Sequence, residues 1–374
     1  MPDVKVAAEF KQNAAKSILA IILFIICYLV ISAIVVALAF MFVYLGLKIV
    51  ESGRFGALSL LGGLSAIAVA CFLLFFIIKF IFKRSKKDLS GLKLVSAEEQ
   101  PELFRLIHEI VAATNTSMPK RVYLSADVNA SVFYDSSFWS MFLPVKKNLM
   151  IGLALVNSVT ANEFKAILAH EFGHFSQRSM KVGSYVYQVN QIIYNLLYDN
   201  DSYFQAFNRF AKLHAFFAIG IKIGFSVIQG VQWVLRKIYG IVNLQYMALS
   251  REMEFHADAI AAHVTGSKPL GDSLLRLNLA NQSFDELLNF YDQKKNDNIK
   301  TLNFFPQHGC IMEEKAKLFN LPIVNHLPFV TVESIKKLNK SRLNIKDQWA
   351  SHPDDFDRIE KLDELHITHQ PDDR

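Results

Sequence analysis

Cysteine is almost missing from this 374-residue chain, which has only Cys27, Cys71 and Cys310. Three scattered thiols supply no disulfide framework, and a reducing compartment is compatible with them. Charged residues are also sparse, at 20% against 52% hydrophobic. The net charge of +6 comes without any long basic tract, which argues against a nucleic-acid partner. Internal repeats and low-complexity linkers are missing too. One sizeable domain with membrane anchors fits this length and composition.

Two long apolar runs are what the chain does have. Residues 17–50 carry no charge before Lys48, and residues 56–82 carry only Lys79. A bilayer crossing needs about 20 apolar residues, so each run is long enough to cross once. The first is too long for a signal-peptide core, and a buried soluble helix would need a polar face. Glu51–Arg54 reads as the turn between them. Lys5, Lys11 and Lys16 precede the first run, while Lys83, Arg84, Lys86 and Lys87 follow the second. Positive flanks on both outer ends place them in the cytoplasm. The expected division is a cytoplasmic segment at 1–16, two transmembrane helices at 17–83 and a cytoplasmic domain at 84–374. In a bacterium that means a multi-pass protein of the inner membrane.

The chemistry concentrates at His170-Glu171-Phe172-Gly173-His174. Thr160 and Glu163 form a capping box that predicts a helix start. Phe164, Ile167, Leu168, Phe172 and Phe175 then recur at helical spacing. Both histidines are expected in the helix interior, one turn apart on one face. Two imidazoles so placed can converge on one zinc ion, with Glu171 between them positioned to activate a water. Gly173 has no side chain to crowd the metal.

A catalytic zinc takes three protein ligands and leaves one position open. The best third candidate is Glu254, in a segment predicted to be helical up to a C-cap at Gly266. Asp258 lies four residues on, so the two carboxylates share a face. One can bind metal while the other accepts a histidine ring N–H. The plain alternative is a surface helix whose acids pair with Arg251.

His-Glu-x-x-His followed by Ser250-Arg251-x-x-Glu254-Phe255-x-Ala257-Asp258 resembles the membrane zinc metallopeptidases (gluzincins) typified by the HtpX heat-shock protease and the type-1 CAAX prenyl protease. Further matches are Pro101-Glu102-Leu103, Arg121-Val122-Tyr123-Leu124, Asn129-Ala130, and Ser351-His352-Pro353 with Arg358. The resemblance covers about residues 95–270 and 349–362. It implies Glu254 as the third zinc ligand, Asp258 as support for a zinc histidine, and His352 beside the reaction centre. It also implies one Zn2+ per chain, protein or peptide substrates drawn from membrane proteins, and a mainly α fold with a small β-sheet (an α+β zincin-like domain) behind an N-terminal transmembrane hairpin.

The remaining segments give coarser expectations. Ser96 and Glu99 form a second capping box, predicting a helix to about Ala113. Residues 121–134 and 147–153 read as strands, and an edge strand at Asn129 and Ala130 would bind extended peptide through its main chain. Residues 203–248 are apolar but carry Arg209, Lys212, Lys222, Arg236 and Lys237, so an apolar hairpin lying on or dipping into the membrane is expected rather than full crossings. Tyr185, Tyr187, Tyr194, Tyr198 and Tyr203 suit either an interface or a core. His256 and His263 lack partners that would favour ligation, and His366 and His369 read as tail. The expected reaction is peptide-bond hydrolysis in membrane-protein quality control, with Glu171 as base and His352 at the oxyanion. A prenyl-protein protease and a non-catalytic membrane adaptor are the alternatives.

Overall fold

The computed structural model describes residues 7–82, 84, 85, 88–133, 136, 137, 147–174, 176, isolated positions between 185 and 209, 215–297, 299–338 and 353–368. Helix α1 (Ala8–Ser52) and helix α2 (Ala57–Phe82) form the expected N-terminal hairpin. α1 begins well before the apolar run and passes unbroken through the expected boundary at residue 16. At 45 residues it is about 68 Å long, more than twice a hydrocarbon core. Its first turns serve another purpose, because Phe10 and Ala14 are buried against the segment that carries Glu254.

A four-stranded sheet runs in the order β2 (Lys93–Val95), β3 (Val122–Ser125), β6 (Asn148–Gly152), β4 (Ala130–Phe133). β3 lies parallel to β6 and β4 antiparallel to it. The single strand expected at 121–134 is thus two strands on opposite sides of β6, separated by a turn at 126–129. Two short pairs complete the sheet structure among the described residues: β1 (Arg84–Ser85) with β5 (Ser136–Ser137), and β7 (Ile323–Val324) with β8 (Leu327–Pro328). β4 forms one edge of the main sheet.

Helix α3 (Pro101–Thr114) starts later than the capping box suggested. Ser96 and Glu99 do exchange their two hydrogen bonds, but they close a turn, and the helix proper begins at Pro101. Proline's fixed φ and missing N–H suit a first helical position. After the short α4 (Leu153–Val156) comes α5 (Ala161–Gly173), whose capping box at Thr160 is fully formed. Phe164, Ile167, Leu168 and Phe172 enter the main core beside Ile107, Ile110, Leu149 and Ile151. Phe175 lies outside the described residues.

Helix α6 (Ala215–Thr265) is 51 residues long and carries Glu254 near its C-terminal end. The hairpin expected within 203–248 therefore has no turn between 215 and 248. That stretch lacks proline, and two of its glycines, Gly220 and Gly224, lie close against α2. A Cβ at Gly224 would lie 2.6 Å from the Phe72 ring, so this glycine lets α2 come close. The opposing arm is formed by helical positions between 185 and 209, where Val186, Val189, Ile193 and Leu197 pack on Leu235, Tyr239 and Val242. α7 (Ser267–Gln293), α8 (Phe305–Leu318), α9 (Val332–Leu338) and α10 (Asp355–Glu364) complete the C-terminal half.

Candidate metal centre

α5 and α6 cross where Gly173 meets Ala257. A Cβ on Gly173 would sit 3.2 Å from both the Ala257 Cα and its carbonyl oxygen. The glycine is thus explained by helix contact and not, as the sequence suggested, by room for a metal. This close crossing brings together side chains about eighty residues apart. His170 and His174 Nε2 atoms are 3.2 Å apart. Each is 3.5 Å from a Glu254 carboxylate oxygen, His170 from Oε2 and His174 from Oε1. One donor atom from each of the three residues lies within 4.8 Å of the others, a group that could hold a metal ion.

His174 is not inside the helix. α5 ends at Gly173, and His174 is its C-cap residue, still in right-handed helical geometry with its N–H donating to the His170 carbonyl. The ring therefore keeps the direction that a helical i+4 position would give it.

Behind the donors stands a charge chain. His170 Nδ1 lies 2.8 Å from Asp258 Oδ1, as expected for an aspartate one turn beyond Glu254. Arg358 of α10 closes on Asp258 with both arms, Nε donating to Oδ2 at 2.8 Å and Nη2 to Oδ1 at 2.6 Å. The same Nη2 is 3.9 Å from Glu254 Oε2. Sequence reading had given Arg358 no role. Only its place after the Ser-His-Pro triplet marked it, since a contact across a hundred residues leaves no periodic trace.

These neighbours set the protonation states. Burial alone would depress the His170 imidazole, but hydrogen bonds to Asp258 and Glu254 outweigh it and raise the ring to about 10. Burial lowers His174 to about 4, helped by the charge on His170. Burial raises Glu171, against the pull of the His170 charge and with a further push from Glu254. Asp258 is held low because Arg358 and His170 overcome its burial.

The donors open into a cavity of about 570 Å³ lined on one side by Asn129, Ala130 and Val132. Asn129 is exposed and Ala130 buried, and both line this cavity. The Val132 N–H points at Glu171 Oε2, 3.4 Å away, so the edge strand and the candidate base are in register. The far wall is apolar, with Leu155, Ile167, Leu270, Leu274 and Leu277. Tyr187, Tyr246 and Ser250 also line the cavity. His352 lies outside the described residues, although Arg358, six positions on, reaches the cavity.

The sequence profile of Peptidase family M48 matches residues 97–366, which take in both halves of this centre. The chain belongs to peptidase family M48. Among M48 relatives it is similar to Protease HtpX of Vibrio atlanticus (strain LGP32), 25% identical over 215 residues covering 54% of this chain and 66% of that protein. Protease HtpX of Legionella pneumophila (strain Corby) is 27% identical over 276 residues, 69% of this chain and 90% of the relative. Probable CAAX prenyl protease 1 of Schizosaccharomyces pombe is 26% identical over 200 residues, 52% and 40% of the two chains. The chain spans just under two thirds of the length of the Vibrio relatives named first. No solved structure matches it. The M48 match begins after α2, so the N-terminal hairpin lies outside it.

Proposed function

We propose that the chain is a membrane-anchored zinc endopeptidase, with His170, His174 and Glu254 holding one Zn2+ and Glu171 as general base. The observation that carries this reading is the convergence of those three donors beside a base-bearing cavity. The donor set is the one zinc favours: imidazole nitrogens with one carboxylate, leaving a coordination position open. Charge also balances, since a zinc ion and Arg358 offset Glu171, Glu254 and Asp258. When bound, zinc lowers the pKa of a water and polarises a carbonyl. Glu171, beside the donors, would act as the base that accepts a proton from an attacking water and passes it to the leaving amine. Asp258 fixes the His170 ring through Nδ1, and Arg358 holds Asp258 ionised. Asn129 and Ala130 border the path of an extended substrate, and His352 is assigned to hydrogen-bond the developing oxyanion.

Among the described residues, three helices are long and apolar enough to cross a membrane by length and composition: Ala8–Ser52, Ala57–Ile78 and Ala215–Thr265. The first two are assigned as spans and residues 84–374 as the peptidase domain, facing the cytoplasm at an inner membrane. The apolar first half of α6 runs beside α2, with Ser65 Oγ donating to the Phe216 carbonyl, and enters the same bilayer. The proposed substrates are membrane proteins under quality control. Zinc content and casein hydrolysis of wild type and Glu171→Gln test the reading. The expected result is one zinc in each and activity lost by at least about a hundredfold in the variant. Equal activity in both would remove Glu171 from its role, and absence of zinc from wild type would end the proposal.

A further inference from the structure

Phe10, Ala14, Ser17, Ile21 and Phe24 of α1 are all buried and follow one another at alternating steps of four and three. Residues so spaced share one helical face, and a seam of this period is what two helices use to pack side by side. The seam lies against α6. Phe10 and Ala14 belong to one buried cluster with Leu249, Met253 and Ala257, and Ser17 Oγ donates to the Gln245 carbonyl at 3.0 Å. At the N-terminal end of the seam Phe10 meets the His256 ring edge-on, with centroids 6.2 Å apart.

We infer that the first turns of α1, ahead of its apolar run, are a working part of the metal centre. They hold the 245–257 stretch of α6 against α5 and so keep Glu254 within reach of the two histidines, with Phe10 as the positioning residue. The inference rests on the peptidase reading above and adds that the anchor helix itself sets metal affinity. The line of contact is short. Phe10 and Ala14 pack in the cluster of Met253, the neighbour of Glu254, and of Ala257. Ala257 is also the residue that Gly173 of α5 touches, and Gly173 directly precedes His174. At the level of the donors α6 is therefore held from two sides, by α5 and by α1. The M48 match begins at residue 97, so this clamp comes from a part of the chain outside it.

Two simpler roles fit less well. A tether needs only about 20 residues of the apolar run that begins at residue 17, and it would leave the turns before that run solvated. Those turns instead bury Phe10 and Ala14 to 3% and 8% exposure, while Glu9, Lys11 and Lys16 on their other faces stay exposed. Cohesion of the apolar bundle is served elsewhere, where Val35, Phe76 and Ile228 pack between α1, α2 and α6. Ile228 lies about 39 Å along α6 from Glu254, at 1.5 Å per residue.

The test uses the full chain in lipid nanodiscs. Zinc affinity is read by competition with a chelating dye, and amide hydrogen exchange of residues 245–258 is followed in the metal-free chain. Phe10→Ala should weaken zinc binding about tenfold, the lower end of what losing the support behind a metal ligand costs. It should also speed exchange across 245–258. Phe10→Leu refills most of the lost volume and should recover most of the affinity. Phe76→Ala opens a cavity in the bundle between the same three helices and should leave both readings as in wild type. Undiminished zinc affinity in Phe10→Ala, or an equal loss in Phe76→Ala, would overturn the clamp. Failure of the wild type to bind zinc would instead sink the peptidase reading, while exchange in the metal-free chain still decides whether α1 holds α6 in place.

Discussion

His170 sits among Glu254, Asp258 and His174, and this crowding gives the residue its most testable property. Its folded value near 10 lies above the 6.5 of an ordinary imidazole. The protonated ring therefore stabilises the metal-free chain fully below about pH 6.5, and that contribution fades as pH rises toward 10. Zinc competes with the proton for the ring, so zinc affinity should climb across the same window. Calorimetric titration with zinc near pH ~7.5, in buffers of different ionisation enthalpy, should register release of about one proton per ion. Heats independent of the buffer would mean that Asp258 and Glu254 do not hold that proton. At this scale the histidine pair and Glu254, which the fold gathers into one donor group, were marked as candidates by helical spacing together with the family resemblance. Arg358 was not, because a bidentate clamp across a hundred residues is a property of the packed chain.

Among the elements, the crossing of α5 and α6 decides whether a metal centre exists. Local chemistry wrote α5 plainly: a capping box at Thr160 and an apolar face of Phe164, Ile167, Leu168 and Phe172. The helix start is also held from outside by an ion pair between Arg276 of α7 and the capping residue Glu163, a contact that local chemistry could not announce. What it did not reveal is how closely the next helix approaches. With Ala257 against Gly173, added γ carbons have no space. Gly173→Val should cost about 1–3 kcal/mol by overpacking and weaken zinc binding by pushing Glu254 away from the histidines. Chemical denaturation and zinc titration of the variant check both. A variant with undiminished zinc affinity would show that the helices can part without opening the donor group. The strand at 121–134 was misread for a related reason: alternation marks extended chain but carries no sign of a turn at 126–129 that sends β3 and β4 to opposite sides of β6.

On the scale of the whole molecule, three long helices lie side by side, and the peptidase half grows out of one end of the bundle. α1 joins both parts: Phe10 packs on His256 with ring centroids 6.2 Å apart, while Val35 packs beside Ile228 deep in the apolar bundle. The proposed orientation predicts opposite labelling of the two ends of α2. With Cys27, Cys71 and Cys310 replaced, Ser52→Cys should react with an impermeant thiol reagent from outside intact cells. Ser90→Cys should react only in inverted vesicles. Labelling of residue 90 from outside would reverse the topology. The apolar lengths of α1 and α2 were plain in the sequence, whereas the course of residues 203–248 was not. A charge-by-charge cost of crossing predicted a hairpin within 203–248, whereas the residues from 215 onward form one continuous helix, with Gly224 close against Phe72 of α2.

The order of residues by itself marked candidate metal ligands, the start of α5 and the runs apolar enough for a bilayer. Each of those follows from short-range spacing, which a helix converts directly into a shared face. Tertiary structure alone decided that Arg358 reaches Asp258 and that Gly173 is a contact point. Those facts depend on how separate helices approach one another, and interhelical distance is fixed by packing between segments that no local pattern links.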